Sequence, residues 1–153
     1  PDRSKCSCTE HQVRRYLGKI SRPLLDRIDI CVEASPITYG DIRSSGNNES
    51  SREIRARVEQ ARKIQGERFA GENIRCNGEM SGRHIRKFCW LGREEEKFME
   101  EIFKKLALSA RMHDRILKVA RTTADLAEEE KIRLADLCEA VSYVKSRDKF
   151  WGN

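Results

Sequence analysis

The chain has 153 residues, of which 37% are charged and 38% are hydrophobic. Because an average globular domain is only about 25% charged, we expect helices with wide solvated faces. The net charge of +6 permits contact with nucleotide phosphates or nucleic acid but does not require it. No apolar run approaches the roughly 20 residues of a membrane span, and no secretory signal is visible. We therefore predict a cytoplasmic protein without a membrane partner, whose six cysteines form no disulfide framework.

The first predicted elements are a short helix and a strand. Thr9 can cap a helix that runs to about Leu17, because Gln12 occupies the capping-box position. Pro23 then breaks the helix and should hold the preceding residue outside helical geometry. Apolar and polar residues alternate over 28–32, which is the period of a half-buried strand. Since a single strand is not stable alone, this strand needs a partner.

Residues 36–50 are rich in turn formers and predict a linker. After the linker, apolar residues recur at helical spacing, and serines that can cap helices stand at positions 50, 81 and 109. This pattern predicts amphipathic helices joined by short loops, which form a bundle. The residues predicted to face inward include Ile54, Val58, Ala61, Ile64 or Gln65, Phe69, Ile85, Phe88, Cys89, Phe98, Ile102, Leu106, Met112, Ile116, Val119, Ala120, Thr123, Leu134, Leu137, Cys138, Val141 and Val144.

Arg27 is the first candidate site residue. It lies at the start of the predicted strand, and Asp26 and Asp29 stand beside it. An arginine held by carboxylates on a rigid turn can present its guanidinium to a phosphate, whose oxygens match the guanidinium fork. From the residues alone, a surface arginine that pairs with Asp29 is the favoured alternative.

Arg111 is the second candidate. It falls in the first turn of the helix that Ser109 caps, where a basic residue is unfavourable for the helix dipole. A bound anion would explain this position, because the free N–H groups at a helix start also attract anions. A solvated first-turn arginine is the alternative. Three further basic residues on this helix, Arg115, Lys118 and Arg121, are interpreted as surface or subunit-contact residues.

Two cysteines, Cys6 and Cys8, have a spacing that suits one half of a zinc site, with His11 as a nearby third ligand. Two free thiols are the alternative. His84 and His113 lack a partner arranged for nucleophilic chemistry and are interpreted as surface residues. The sequence contains no Gly-rich phosphate loop of the Walker type and no Walker B strand. We therefore expect no ATP hydrolysis by this chain alone.

Two segments resemble a known family. Residues 18–30, GKISRPLLDRIDI, are similar to the SGPLLDRxDl segment of competence-associated, magnesium-chelatase-like AAA+ ATPases, with Arg22 in place of the usual glycine. Residues 108–126, LSARMHDRILKVARTTADL, are similar to the LSARaydRilkvARTiADL segment of the same family. Near the end, Glu139-Ala140 and Arg147-Asp148 resemble its final lid helix. The chain is thus identified as a C-terminal piece of such an ATPase.

The resemblance implies a mainly α fold, in which a helical AAA+ lid bundle follows a short α/β remnant of the AAA+ core. The remnant would cover residues 1–35 and would include the last core strand. The linker would cover residues 36–50, and the lid would cover residues 51–153. By resemblance, Arg27 is the arginine finger and Arg111 the sensor-2 arginine. The intact protein would bind ATP and Mg²⁺ in a ring, taken to be a hexamer, and would remodel or translocate on DNA. Further cysteines upstream would complete a Zn²⁺ site with Cys6 and Cys8, and no cofactor is expected on this piece alone.

Two other function classes stay open. A nucleic-acid-binding helical module would use the basic residues of the helix after residue 50, although acidic residues interrupt its face. These basic residues are Arg52, Arg55, Arg62 and Lys63. An ATPase subunit of a metal chelatase would carry the same motifs and differ only in its partner.

Overall fold

A computed structural model describes residues 7–25, 27–43 and 48–151 of the chain. These residues divide into two compact units, one drawn from residues 1–33 and 143–153 and the other from residues 34–142. The described residues contain helices and no strand, which confirms the predicted mainly α fold. The helices are α1 (Glu10–Leu17), α2 (Arg22–Leu25), α3 (Tyr39–Arg43), α4 (Ser51–Arg68), the 3₁₀ turn Asn77–Glu79, α5 (Gly82–Phe88), α6 (Arg93–Lys105), α7 (Ala110–Leu126) and α8 (Leu134–Trp151).

The first unit begins with the predicted capping box. The Gln12 backbone N–H donates to Thr9 Oγ1 at 3.4 Å, and Gln12 Oε1 accepts from the Thr9 backbone N–H at 2.8 Å. These two bonds satisfy donors that a helix start otherwise leaves free. After α1, Pro23 lies within the one-turn helix α2, so the expectation that Arg22 stays outside helical geometry is wrong. A proline is tolerated in a first turn because its missing N–H has no helical acceptor there.

The predicted strand over residues 28–32 is not formed. Residues 30–38 adopt no regular structure, and Ile28, Ile30 and Val32 are exposed. The alternation of apolar residues stabilises a strand only when a neighbouring strand completes the backbone hydrogen bonds, and the described part of the chain offers none. Within the predicted linker, residues 39–43 form the short helix α3 instead of an irregular loop.

In the second unit the predicted helix starts are confirmed. The Glu53 N–H donates to Ser50 Oγ at 3.3 Å while Glu53 Oε2 accepts from the Ser50 N–H at 2.7 Å, which is the expected capping box of α4. At α7, Ser109 Oγ accepts from the Met112 N–H at 3.2 Å. The first turn of α6 carries Glu94, Glu95 and Glu96 and its last turn carries Lys104 and Lys105, in agreement with the helix dipole.

Two helices of this unit end in turns that contain a left-handed residue. At the end of α6 the Leu108 N–H donates to the Phe103 carbonyl at 3.1 Å and the Ala107 N–H to the Lys104 carbonyl at 3.3 Å. This is a Schellman motif, in which Ala107 takes φ 46° where glycine is usual. α7 ends in the same pattern, with Glu128 at φ 56°.

α7 is the central helix of the second unit, and α4, the 3₁₀ turn and α5 contact it. Its Ile116, Ala120 and Ala124 are at most 1% exposed. Small side chains at the last two positions let neighbouring elements approach closely, and Ala61 and Gln65 of α4 are buried as well. The inward-facing prediction is therefore confirmed for Met112, Ile116 and Ala120 of α7, whereas Val119 and Thr123 are half-buried. Cys138 of α8 is exposed and was predicted wrongly.

The first half of α4 is exposed on every side. Gln60 Nε2 donates to Glu128 Oε2 at 3.2 Å, which places Gln60 beside the turn that follows α7. Residues 51–59 therefore extend beyond the end of α7. Ile54 and Val58, which were predicted to face inward, are 42% and 45% exposed, since no described residue covers them.

Candidate functional site

Arg27 follows α2 directly and is exposed. Its backbone N–H donates to the Leu24 carbonyl at 2.9 Å, which closes the turn after the one-turn helix. The guanidinium makes no hydrogen bond or ion pair with another residue in the described ranges. Asp26 lies outside the described residues, and Asp29 is exposed. A cation in this position is accessible to an external phosphate.

Arg111 occupies the second residue of α7 and is exposed. The first turn of α7 contains no acidic residue, so nothing there offsets the unfavourable interaction of the guanidinium with the positive helix end. Its side chain has no hydrogen-bond or ion-pair partner within residues 7–25, 27–43 and 48–151. The arrangement can hold an anion between the guanidinium and the helix N–H groups. Arg27 and Arg111 belong to different units, and each is described within its own unit.

The cysteine pair is described only in part. Cys6 lies outside the described residues, and Cys8 is exposed. No group of three or more His, Cys, Asp or Glu side chains in the described part of the chain could hold a metal ion. Zinc binding by Cys6 and Cys8 therefore stays a prediction.

A buried ionic cluster joins α4, the 3₁₀ turn and α7. Asp125 is fully buried and accepts hydrogen bonds from both terminal nitrogens of Arg68, from Arg121 Nε at 3.1 Å and from Asn77 Nδ2 at 2.8 Å. Asn77 also accepts from Arg68 at 3.2 Å and donates to Thr122 Oγ1 at 3.0 Å. The single buried carboxylate of Asp125 thus forms ion pairs with two guanidinium groups.

Arg121 was predicted to be a surface or subunit-contact residue, and this is wrong. Its side chain is 3% exposed, and beyond Asp125 it donates to the carbonyls of Glu130 at 2.7 Å and Glu129 at 2.5 Å. Burial lowers the pKa of Arg121, and the nearby Asp125 opposes this shift. In the sequence, Arg121 and Asp125 are opposite charges four residues apart and each follows an alanine, which is the signal that could have revealed the cluster.

The other two basic residues of α7 are half-buried. Lys118 Nζ donates to the Gly78 carbonyl of the 3₁₀ turn at 3.0 Å, which adds a further link between this turn and α7. Arg115 is half-buried as well.

His84 was interpreted as a surface residue, and the structure shows instead that it is buried and makes polar contacts. It is 7% exposed, and its Nδ1 accepts from the Ser81 N–H at 3.1 Å. Ser81 Oγ lies 3.0 Å from the same nitrogen, and Nε2 lies 3.4 Å from Glu72 Oε2. Because the Ser81 backbone N–H can only donate, Nδ1 is the acceptor at the start of α5, and Arg83 Nη2 lies 3.3 Å from Nε2. The histidine caps α5 and ties it to Glu72, whose pKa is lowered chiefly by a hydrogen bond from Lys87.

The sequence matches one family along most of its length. Residues 48–144 match the family described as "Magnesium chelatase, subunit ChlI C-terminal", and residues 1–42 match "Magnesium chelatase, subunit ChlI". The chain therefore belongs to the magnesium chelatase ChlI family. Within the family it is a magnesium-chelatase-like protein of the ComM and YifB type, which confirms the resemblance found in its motifs.

Three curated relatives give the extent of the similarity. Competence protein ComM of Haemophilus influenzae is 38% identical over 133 residues, which cover 86% of this chain and 25% of that protein. The YifB proteins of Escherichia coli and Salmonella typhimurium are 39% and 38% identical over 138 residues, or 89% of this chain and 26% of each relative. The chain thus spans about a quarter of the length of these relatives. None of its described helices is long and apolar enough to cross a membrane.

Proposed function

We propose that this chain contributes two arginines to the ATP sites of a AAA+ ATPase, with Arg27 as arginine finger and Arg111 as sensor-2 arginine. The observation that carries the proposal is the position of Arg111, an exposed cation at the positive end of α7 with no acidic residue in its first turn. Such a position is unfavourable unless an anion is bound, and the triphosphate of ATP supplies one. Arg27 fits the second role because its guanidinium is accessible beside a tight turn.

The two arginines would act on the charge of the transferred phosphoryl group. A guanidinium that meets this charge as it develops lowers the barrier, and arginine fingers contribute about 10³ to 10⁵ in rate in other phosphoryl-transfer enzymes. The 153 residues contain no Walker-type phosphate loop, and no described side-chain group could hold a metal. The phosphate loop and the Mg²⁺ ligands would therefore come from other parts of the whole protein. We place the ATP sites between subunits of a ring, which we propose to be a hexamer.

The site assignment can be tested in the whole protein to which the chain belongs. ATP turnover would be measured for the parent protein, Arg27→Ala, Arg111→Ala and the control Arg86→Ala, which removes an exposed arginine of α5 outside both motifs. We expect turnover to fall at least about 10³-fold for Arg27→Ala and the Michaelis constant for ATP to rise for Arg111→Ala. Parent-like kinetics in both variants would refute the assignment.

We propose that the ATPase acts on DNA, by remodelling it or moving along it. The net charge of +6 supports this, and so do the exposed arginines of α4. An ATPase subunit that drives metal insertion by a partner enzyme would use the same two arginines. Stimulation of ATP turnover by DNA would favour the first substrate, and the absence of stimulation would count against it.

A basic nucleic-acid-binding module is the second candidate function, because one face of α4 is basic and exposed. At about 100° per residue, Arg52, Arg55, Arg62 and Lys63 share this face, and Glu59 interrupts it. If phosphates bind there, the logarithm of the affinity of the chain for duplex DNA should fall with the logarithm of the salt concentration, with a slope of about 0.9 per phosphate contact. A salt-independent affinity would exclude this function.

We also propose that Cys8 contributes with Cys6 to a zinc site that cysteines elsewhere in the whole protein complete. The exposure of the Cys8 thiol leaves it accessible to such partners. Metal analysis of the purified whole protein, compared with a variant in which both cysteines are serine, tests this. Equal zinc content in the two proteins would refute it.

A further inference from the structure

The exposed half of α4 carries an apolar strip that continues its buried face. Ile54 and Val58 precede Ala61 and Gln65 at spacings of four, three and four residues, so all four side chains lie on one side of the helix. The last two are buried in the second unit, whereas the first two are 42% and 45% exposed beyond the end of α7. A helical strip of this kind is suited to pack on another apolar surface.

Two arginines line this strip. Arg55 stands three residues before Val58, and Arg62 stands four residues after it, so the three side chains form one row along α4. Both arginines are exposed, and neither makes a hydrogen bond or ion pair within the described ranges. The row therefore combines an aliphatic centre with two positive charges that form no ion pair within the described ranges, and we call Ile54, Arg55, Val58 and Arg62 the α4 strip.

α6 exposes a strip of opposite charge. Glu96, Glu100 and Phe103 are spaced four and three residues apart, all three are exposed, and Phe103 retains 40% of its surface. The Phe103 ring meets the His113 ring of α7 edge to face, with centroids 6.1 Å apart, which holds the phenyl group at the surface. Glu100 accepts from Lys104 at 2.6 Å. We call these three residues the α6 strip.

We propose that the α4 strip of one copy of the chain docks against the α6 strip of a second copy. Both strips are helical rows, and each combines apolar and charged side chains. Val58 and Ile54 would pack on Phe103, while Arg55 and Arg62 would meet Glu96 and Glu100. Because the two strips are different surfaces, the contact is head-to-tail and builds a ring when its rotation closes. The inference deepens the proposed ring assembly and rests on it, but self-association can be measured without nucleotide.

A second copy explains the α4 strip better than nucleic acid does. A phosphate backbone binds cations but gains nothing from two aliphatic side chains, whereas the core of a protein interface excludes water from such groups. Duplex DNA is therefore the competing outcome of the test.

The test uses reciprocal charge reversal in the 153-residue chain, with self-association followed by sedimentation velocity over a range of concentrations. One variant carries Arg55→Glu with Arg62→Glu, and the other carries Glu96→Arg with Glu100→Arg. Each variant alone would oppose like charges, so its dissociation constant should rise about tenfold or more. An equimolar mixture restores opposite charges at both contacts and should associate like the parent. Arg86→Glu, an equal charge change on α5, should leave association unchanged.

Several outcomes would overturn the proposal. These are a parent chain that is monomeric at all concentrations, reversal variants that associate like the parent, or a mixture that associates no better than its components. If the variant with Arg55→Glu and Arg62→Glu loses its affinity for duplex DNA but still self-associates like the parent, the α4 strip binds nucleic acid instead of a second copy. Far-UV circular dichroism checks that the variants are folded, which is expected because all four positions are exposed. Since no ATP is present, failure here would leave the roles proposed for Arg27 and Arg111 open.

Discussion

Asp125→Ala should be strongly destabilising, because Asp125 is the only carboxylate that faces the guanidinium groups of Arg68 and Arg121 in the buried cluster described above. Removing it leaves two cations whose side chains are only 14% and 3% exposed. Taking one partner out of a buried ion pair costs about 3–5 kcal/mol, since the remaining charge has no compensation. Asn77 would also lose an acceptor for its amide. We therefore expect the free energy of unfolding to fall by about 3–5 kcal/mol.

The measurement is equilibrium unfolding in urea, followed by far-UV circular dichroism, with the slope m fitted separately for each variant. A loss of this size corresponds to a melting temperature lower by roughly 10 °C in a chain of this length. Asp114→Ala is the matched control on the same helix, because its side chain is 44% exposed, and it should stay within about 0.5 kcal/mol of the parent. The free energy of unfolding of Asp125→Asn, which keeps the shape of the side chain and one acceptor oxygen, should lie between those of Asp125→Ala and Asp114→Ala.

A loss below about 1 kcal/mol for Asp125→Ala, at unchanged m, would refute the reasoning. It would mean that water or backbone groups solvate both guanidiniums once the carboxylate is gone. An equal loss in the Asp114 control would also contradict it, because the effect would then belong to α7 in general.

Three further predictions concern titration and reactivity. Hydrogen bonds from the Ser50 hydroxyl and then its backbone N–H lower the pKa of Glu53 below 4.5, so the capping of α4 is fully present above pH 4.5 and is lost as pH falls through the lowered value. The protection factors of the amides in residues 51–55, each taken relative to the intrinsic exchange rate at the same pH, should therefore fall over that range, and constant protection would contradict the cap. Lys87→Met should raise the Glu72 pKa toward 4.5, because Lys87 supplies the main hydrogen bond that stabilises the carboxylate. NMR titration of the Glu72 carboxyl group measures this shift, and the control Lys63→Met should leave the pKa unchanged. Burial raises the pKa of the Cys89 thiol to about 12, so alkylation at pH 8 should label Cys8 and Cys138 and spare Cys89 until urea unfolds the chain. Peptide mass spectrometry would identify the labelled cysteines. Equal labelling of all three in the native state would refute the burial of Cys89.

Helix starts were predictable from sequence because their signals are local. Ser50 with Glu53, and Ser109 with Met112, need only four consecutive residues to form the cap. The predicted strand over residues 28–32 failed for the opposite reason, since its stability depends on a partner strand that the described residues do not include. Ile54 and Val58 have the correct spacing for a buried face, but spacing cannot show that α7 ends before it reaches them.

The buried polar residues were the hardest to predict. Arginine is usually exposed and histidine is intermediate, and the burial of Arg121 and His84 depends on partners far along the chain. Asp125 meets Arg68 across 57 positions, and His84 meets Glu72 across a turn whose path the sequence pattern does not reveal. The position of Arg111 in the first turn of α7 followed from local signals, whereas Arg27 was expected at the start of a strand that is not formed. The roles of both arginines toward ATP stay predictions because those depend on a neighbouring subunit.

The left-handed residues Ala107 and Glu128 have a consequence for protein engineering. Each holds a conformation that costs a side-chain-bearing residue roughly 1 kcal/mol relative to glycine. Both positions lie in turns that already have the hydrogen bonds of a glycine-type helix end, so glycine could enter without any shift of the backbone. The relief of torsional strain would be reduced by the greater freedom of glycine in the unfolded chain. These turns are natural places to adjust the thermal tolerance of the protein while the start of α7, and with it Arg111, stays in place.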